Sequence, residues 1–411
     1  MEDGKHRIFY GYIVIAAATF ILTVAWGSNR TFGVFLAPML SDFGWTRAGI
    51  SGAYTLATII MGAVSIVAGI LMDRFGPRMV MVACGAILSS GYLLMSQTSD
   101  IWQLYLFYGV IAGVGMCGAY SPLMSIAIRW FARRRALITG ILVAGPALGV
   151  VVMPIVFSSL LSIYDWRISY LILGGVVLLT TVPTAILLRR DPSQMGLLPY
   201  GAEPAQTAGL DLQITGLSLG QAVRGGQFWL LSLVSFCDFF VMNVVIVHIV
   251  IHMIGLGIEA TTAAGVLSLA AGISIPARII VGGIADKIGN KVALLVCLST
   301  SAAAFLLLLA ARELWMFYLF AVMFGFSLWS SMAMISPLTA ELFGLKSHAS
   351  IFASRGFIGA LGGAAGPVVA GYVFDVTGSY HWAFIICLIV GVIGIIATLA
   401  LKPNATIKTS S

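Results

Sequence analysis

Twelve long apolar runs, each with its basic residues gathered at the ends, constrain this chain more than any motif does. The hydrocarbon core of a bilayer is about 30 Å thick and takes about 20 helical residues to cross. Runs of that length recur at roughly 10–38, 48–72, 79–97, 102–128, 137–162, 168–188, 228–255, 260–285, 292–311, 315–340, 349–373 and 382–401. None alternates with a period of two, so they read as α-helices and not as barrel strands. Of the 411 residues, 60% are hydrophobic and 9% charged, against about 25% charged in a soluble domain. The expectation is an all-α polytopic membrane protein.

The 22 Lys and Arg residues sort by side. With both termini on the inner side, sixteen fall in inner loops or ends: Lys5, Arg7, Arg74, Arg78, Arg129, Arg133, Arg134, Arg135, Arg189, Arg190, Arg224, Lys287, Lys291, Lys346, Lys402 and Lys408. Three, Arg47, Arg167 and Arg312, fall in outer loops, and Arg30, Arg278 and Arg355 lie within or near spans. Cytoplasmic loops are the ones that carry excess Lys and Arg, which places both termini in the cytoplasm. The net charge of +7 does not imply nucleic acid, because the basic residues form no single face or tail. The five cysteines all sit in apolar runs without metal-ligand spacing, and read as small core hydrophobes. No nucleophile elbow, phosphate loop or metal cluster is evident, so neither an enzyme nor a cofactor is expected.

The longest polar stretch, 189–226, divides the chain into a first half of six spans (1–188) and a second half (227–411). It ends in a short amphipathic segment, SLGQAVRGGQF. The halves repeat each other. GILMDRFGPR (69–78) follows span 2 and GGIADKIGNK (282–291) follows span 8, both reading G-x-x-x-D-[RK]-x-G-x-[RK] at an offset of 213 residues. Asp73, Arg78, Asp286 and Lys291 are expected to brace neighbouring helix ends and hold an inner gate. A second parallel joins GILVAGPALG (140–149) in span 5 to GGAAGPVVAG (362–371) in span 11, where Gly and Pro allow close approach and bending.

The repeated loop motif resembles the signature of the major facilitator superfamily, over the whole chain. That resemblance implies twelve transmembrane helices in two six-helix halves around a central cavity. WFARRRALITGILVAGPALG (130–149) and FYGYIVIAAATF (9–20) are similar to stretches of its monocarboxylate transporter family, although the acidic residue that precedes span 1 there is missing here. DPSQMGLLPYG and QFWLL look like the bacterial relatives, including oxalate/formate antiporters. The family carries a carboxylate with a proton. Its central span 8 arginine matches Arg278, and its span 1 lysine aligns with Arg30. Its span 8 proton acceptor, one turn before the arginine, is here Ser274. The resemblance implies a symporter of L-lactate or pyruvate with H+, or alternatively an oxalate/formate-type exchanger. It also implies the bacterial inner membrane and a small carboxylate as partner, with one chain sufficient for transport.

The residues can be read without the family. Arg278 lies near mid-membrane, where a charge costs roughly 2.5–3.5 kcal/mol on insertion scales, so it must be wet or paired. Asp238 in span 7 lies at comparable depth. Its expected role is a switch: ionised it pairs with Arg278, and protonated it frees Arg278 for a substrate carboxylate. Arg30 either snorkels at the outer interface or attracts anions to a vestibule. Arg355 either snorkels or, as the resemblance to oxalate-type relatives implies, supplies a second cation for a dianion. His248 is either a satisfied core histidine or a substrate and proton contact, with Asn243 between it and Asp238. Tyr120 and Ser121 in span 4, and Ser327, Trp329, Ser330, Ser331 and Ser336 in span 10, are candidate linings for a small hydroxy-acid.

Overall fold

The computed structural model describes residues 9–202, 216–327 and 330–402. Lys5, Arg7, Lys408 and Trp329, named above, lie outside them. Among the described residues the chain forms helices and only isolated bridges, Phe131 with Tyr200 and Gly216 with Gly344.

Among the described residues, twelve helices are long and apolar enough to cross a membrane. Spans 1 to 6 are Tyr10–Phe43, Gly49–Phe75, Pro77–Met95, Ile101–Trp130, Arg135–Leu161 and Trp166–Ile186. Spans 7 to 12 are Gly226–Gly255, Thr261–Ile288, Asn290–Ala310, Leu314–Phe343, His348–Thr377 and His381–Ala400. The amphipathic segment before span 7 is a one-and-a-half-turn helix, Leu219–Arg224, started by a reciprocal Ser218–Gln221 capping box.

The repeated loop motif has a backbone cause. Its second glycine, Gly76 or Gly289, closes one span and opens the next at φ 83° or 93°, a left-handed conformation that glycine adopts without strain. The motif's aspartates then reach neighbouring helices. Asp73 pairs with Arg129 at the end of span 4, 3.5 Å away. Asp286 accepts from the backbone N–H groups of Ala136 and Leu137, both at 2.9 Å, and so caps the start of span 5. Lys291 donates to the carbonyls of Leu399, in the last turn of span 12, and of Leu401, just after it, whereas Arg78 lies exposed.

The described residues fall into two compact units, 9–133 with 144–202, and 134–143 with 216–402. The first turns of span 5, 134–143, pack with the second unit. Glycines permit it. A Cβ on Gly282 would stand 2.5 Å from the Ala136 carbonyl, and one on Gly140 would collide with the Arg278 carbonyl.

Inside the first unit, a cluster of Phe35, Tyr92, Tyr108 and Tyr170 forms the core, with Phe35 stacked on Tyr170 at 4.1 Å. Spans 1 and 5 meet through Gly145 and Gly149, the former with room for no side chain beside the Thr19 carbonyl. Inside the second unit the core is Phe305, Phe317, Phe320, Phe324 and Phe384. Spans 7 and 11 meet there through Gly362 and Gly366, the latter's hydrogen facing the Phe240 carbonyl. Small residues serve this way because lipid is as apolar as the helices, so association depends on close packing. The Gly-Pro repeats are thus the seams of equivalent helix pairs in the two halves.

Candidate functional site

Arg278 is 2% exposed, in the middle of span 8. Its three guanidinium nitrogens are held by neutral oxygens. Nε donates to the Ser274 carbonyl (2.9 Å), Nη2 to the Ser274 hydroxyl (2.8 Å), and Nη1 to the Val143 carbonyl of span 5 (2.6 Å). The local sequence explains the posture. Ser274 stands one turn before Arg278, so its oxygens lie beneath the guanidinium. Val143 stands three residues before Pro146, in a stretch that proline loosens. Gly140 and Gly282 bring the two backbones close enough for the bond. Ser274 therefore orients the arginine here.

Asp238 does not pair with Arg278, and this corrects the expected switch. Its carboxylate accepts from the Ser331 hydroxyl of span 10 at 2.6 Å, and the cation whose charge reaches it is Arg355 of span 11. Depth along the membrane normal placed Asp238 and Arg278 together, but their helix faces point apart. Arg278 turns to span 5, and Asp238 to spans 10 and 11. Arg355 also departs from the snorkelling alternative. It is 1% exposed, donates Nη1 to the Ser235 hydroxyl, and lies 4.5 Å over the Phe352 ring.

His248 occupies the seam of spans 7, 11 and 12. Nε2 contacts the Pro367 carbonyl at 3.0 Å and Nδ1 the Tyr380 hydroxyl at 3.1 Å. A carbonyl only accepts, so Nε2 carries the proton and, in the neutral ring, Nδ1 accepts from Tyr380. Both nitrogens are satisfied, as the core alternative requires. Asn243, in the same seam beside Gly363, donates to the Phe239 carbonyl at 2.9 Å.

Tyr120 belongs to the first unit. Span 4 carries a π-helical stretch, Tyr105–Ala112, and then turns before Tyr120 starts its last segment, Ser121–Trp130. The Tyr120 ring meets Trp26 edge-on at 6.2 Å. Arg30 ends a helix in the same unit and is exposed. Beside it, Asn29 is bonded to Tyr54 and Tyr108.

Two participants escaped sequence reasoning: Ser235 and the Val143 carbonyl. Ser235 could have been found from its spacing, three residues before Asp238 and so on the same helix face. A backbone carbonyl leaves no signal in sequence.

Comparison with known proteins agrees with the fold. The Major Facilitator Superfamily profile matches residues 15–312 and 281–411. Monocarboxylate transporter 13 of Bos taurus is 28% identical over 386 residues, covering 92% of this chain and 86% of that protein. Monocarboxylate transporter 11 of Homo sapiens is 27% identical over 399 residues, covering 92% and 80%. Among solved structures, the major facilitator transporter FucP in its outward conformation superposes with a TM-score of 0.75 at 14% identity, over 96% of this chain and all of that one. The human organic anion transporter TETRAN gives a TM-score of 0.71 at 15% identity, over 94% and 99%. These matches, over twelve apolar helices in which the same loop motif and the same glycine seam occur twice, make the chain a membrane transporter that belongs to the Major Facilitator Superfamily.

Proposed function

We propose that this transporter carries a small monocarboxylate, L-lactate or pyruvate first, together with a proton, by alternating access. The observation that carries the proposal is Arg278, a permanent cation in the middle of a span, fixed by neutral oxygens. A guanidinium presents a planar fork that matches a carboxylate. Its orientation by Ser274 and Val143 reduces the ordering that binding requires. The relatives' printed name, monocarboxylate transporter, agrees with this chemistry.

Charge favours a monoanion over the dianion of the exchanger alternative. Arg355, the second buried span cation in this unit, donates to the Ser235 hydroxyl and lies over the Phe352 ring, whereas Arg278 donates to Ser274 and Val143. One cation at the anion site matches one carboxylate. Symport follows from charge as well. Carboxylic acids of this class are ionised near neutral pH, and moving a lone charge through the membrane costs about 2.3 kcal/mol per 100 mV of potential. A proton taken up with the anion removes that term. The coupling ion in this reading is H+. The excess of inner basic residues supports both termini on the cytoplasmic side, and the resemblance of DPSQMGLLPYG and QFWLL to bacterial relatives favours the bacterial cytoplasmic membrane. The anion and proton residues reside in one chain, so the monomer is the working unit.

The test is uptake of labelled L-lactate, pyruvate, formate and oxalate into liposomes containing the protein, with and without an inward proton gradient. L-lactate or pyruvate should accumulate only with the gradient. Uptake that needs internal counter-substrate and ignores the gradient would establish exchange in its place.

A further inference from the structure

Asp238 is surrounded by groups from four other spans. Span 10 gives Ser331. Span 11 gives Arg355, which also donates to Ser235, one turn before Asp238. Span 9 gives Cys297, Leu298 and Ser301, and span 12 gives Cys387 and Gly391. Next to Asp238 on its own helix is Cys237. Span 8 also packs on span 7, but its mid-membrane charge, Arg278, is turned to Ser274 and Val143.

We propose that Asp238, with Ser331, Arg355 and Ser235, is the site of the coupling proton, inside the second unit and separate from the anion residue Arg278. The proposal deepens the symport reading and rests on it.

The arrangement suits a carboxyl group that changes state in place. A hydroxyl both donates and accepts. Ser331 donates to the carboxylate when Asp238 is ionised, and can accept from the carboxyl O–H once a proton has bound. Neither state leaves that bond unmade, and no side chain has to leave the cluster. Arg355 keeps the Ser235 hydroxyl and the Phe352 face in both states. What changes is charge. The ionised cluster is neutral, Asp238 against Arg355. The protonated cluster carries one positive charge. That added charge favours a bound anion elsewhere in the unit, and by linkage a bound anion favours the proton by the same factor. Coupling therefore needs no contact between Asp238 and Arg278. A small cavity lined by Asp238, Ser301, Phe305 and Cys387 has room for about one water beside the carboxylate. Spans 7 and 11, which hold three of the four groups, are also the glycine-packed pair, with Gly359 against Ser235.

The test separates net transport from exchange. Wild-type protein, Asp238→Asn and Asp238→Glu are reconstituted in liposomes. Net uptake of L-lactate under an inward proton gradient is compared with exchange against internal L-lactate, which moves no net proton. Asparagine mimics the protonated group. Asp238→Asn should lose net uptake by at least about tenfold while its exchange stays within about twofold of wild type. Asp238→Glu should restore net uptake in part. Net uptake by Asp238→Asn with the wild-type pH dependence overturns the proposal. So does loss of both modes in a protein that still elutes as a folded monomer, and so does uptake driven by Na+ in place of H+. A readout independent of substrate is the infrared carbonyl stretch of a protonated carboxyl. The other Asp and Glu residues contribute alike to all three proteins, so the Asp238 band is the component that grows in on acidification of wild type and of Arg278→Gln and is lost from the spectrum of Asp238→Asn. If wild type moves no carboxylate in either mode, the symport reading fails, and this band alone decides the proton site: its presence in Asp238→Asn rejects it.

Discussion

Arg278→Gln is expected to abolish L-lactate uptake, and Arg278→Lys to reduce it almost as far. Removing one partner of a buried, hydrogen-bonded charge pair costs about 2–5 kcal/mol, which is roughly one and a half to three and a half orders of magnitude in substrate affinity at 1.4 kcal/mol per tenfold. Lysine keeps the charge but not the fork. It cannot reproduce the Nε and Nη2 bonds to Ser274 together with the Nη1 bond to Val143. Losses in both variants should appear in exchange as well as in net uptake, because the anion residue serves both. That distinguishes Arg278 from Asp238. Uptake by Arg278→Lys at the wild-type rate and KM would mean that the guanidinium is structural and the anion binds elsewhere.

The second large effect is on stability. Asp73→Asn removes the carboxylate that meets the buried Arg129 guanidinium. Breaking a buried pair from one side costs about 3–5 kcal/mol. The low end applies, because the Asp73 side chain keeps 12% of its exposure. For a unit of this size, about 3 kcal/mol lowers the thermal midpoint by roughly 6–12 °C. Unfolding of detergent-solubilised protein, followed by tryptophan fluorescence, measures it. Arg78→Gln, at the exposed end of the same motif, should melt with wild type. The pair itself is isolated by a double-mutant cycle. Asp73→Asn with Arg129→Gln should be more stable than the sum of the single changes predicts, and strict additivity would show that the two residues act independently.

What could be read from the sequence follows from what the bilayer demands. Span length and helix type are dictated by membrane thickness and backbone hydrogen bonding, so the twelve helices were visible before any coordinate. The repeated loop motif was legible because a left-handed turn at Gly76 and Gly289 restricts residue choice. Arg278 was legible because a mid-span charge is costly. Its environment was not. Hydropathy gives depth but not which way a helix face points, so Asp238 and Arg278 looked like partners while pointing to different spans. Arg355 misled for a related reason. It lies seven residues into span 11, a distance from which a long side chain commonly snorkels, yet the whole stretch His348–Ala353 before it is buried. The packing of the first turns of span 5 with the second unit was not legible, because linker polarity marks where the chain leaves the membrane, while that packing depends on Gly140 and Gly282.

Proton movement itself tests the account most directly. Liposomes containing the protein and a trapped pH-sensitive dye are given an inward L-lactate gradient, with no pH difference and the membrane potential clamped at zero. Entry of L-lactate should acidify the interior in step with labelled uptake. Arg278→Gln should show neither signal, and Asp238→Asn should show neither unless L-lactate is already inside, in which case label enters without acidification. Wild-type uptake that proceeds with the interior pH unchanged would contradict proton-coupled transport of a monocarboxylate.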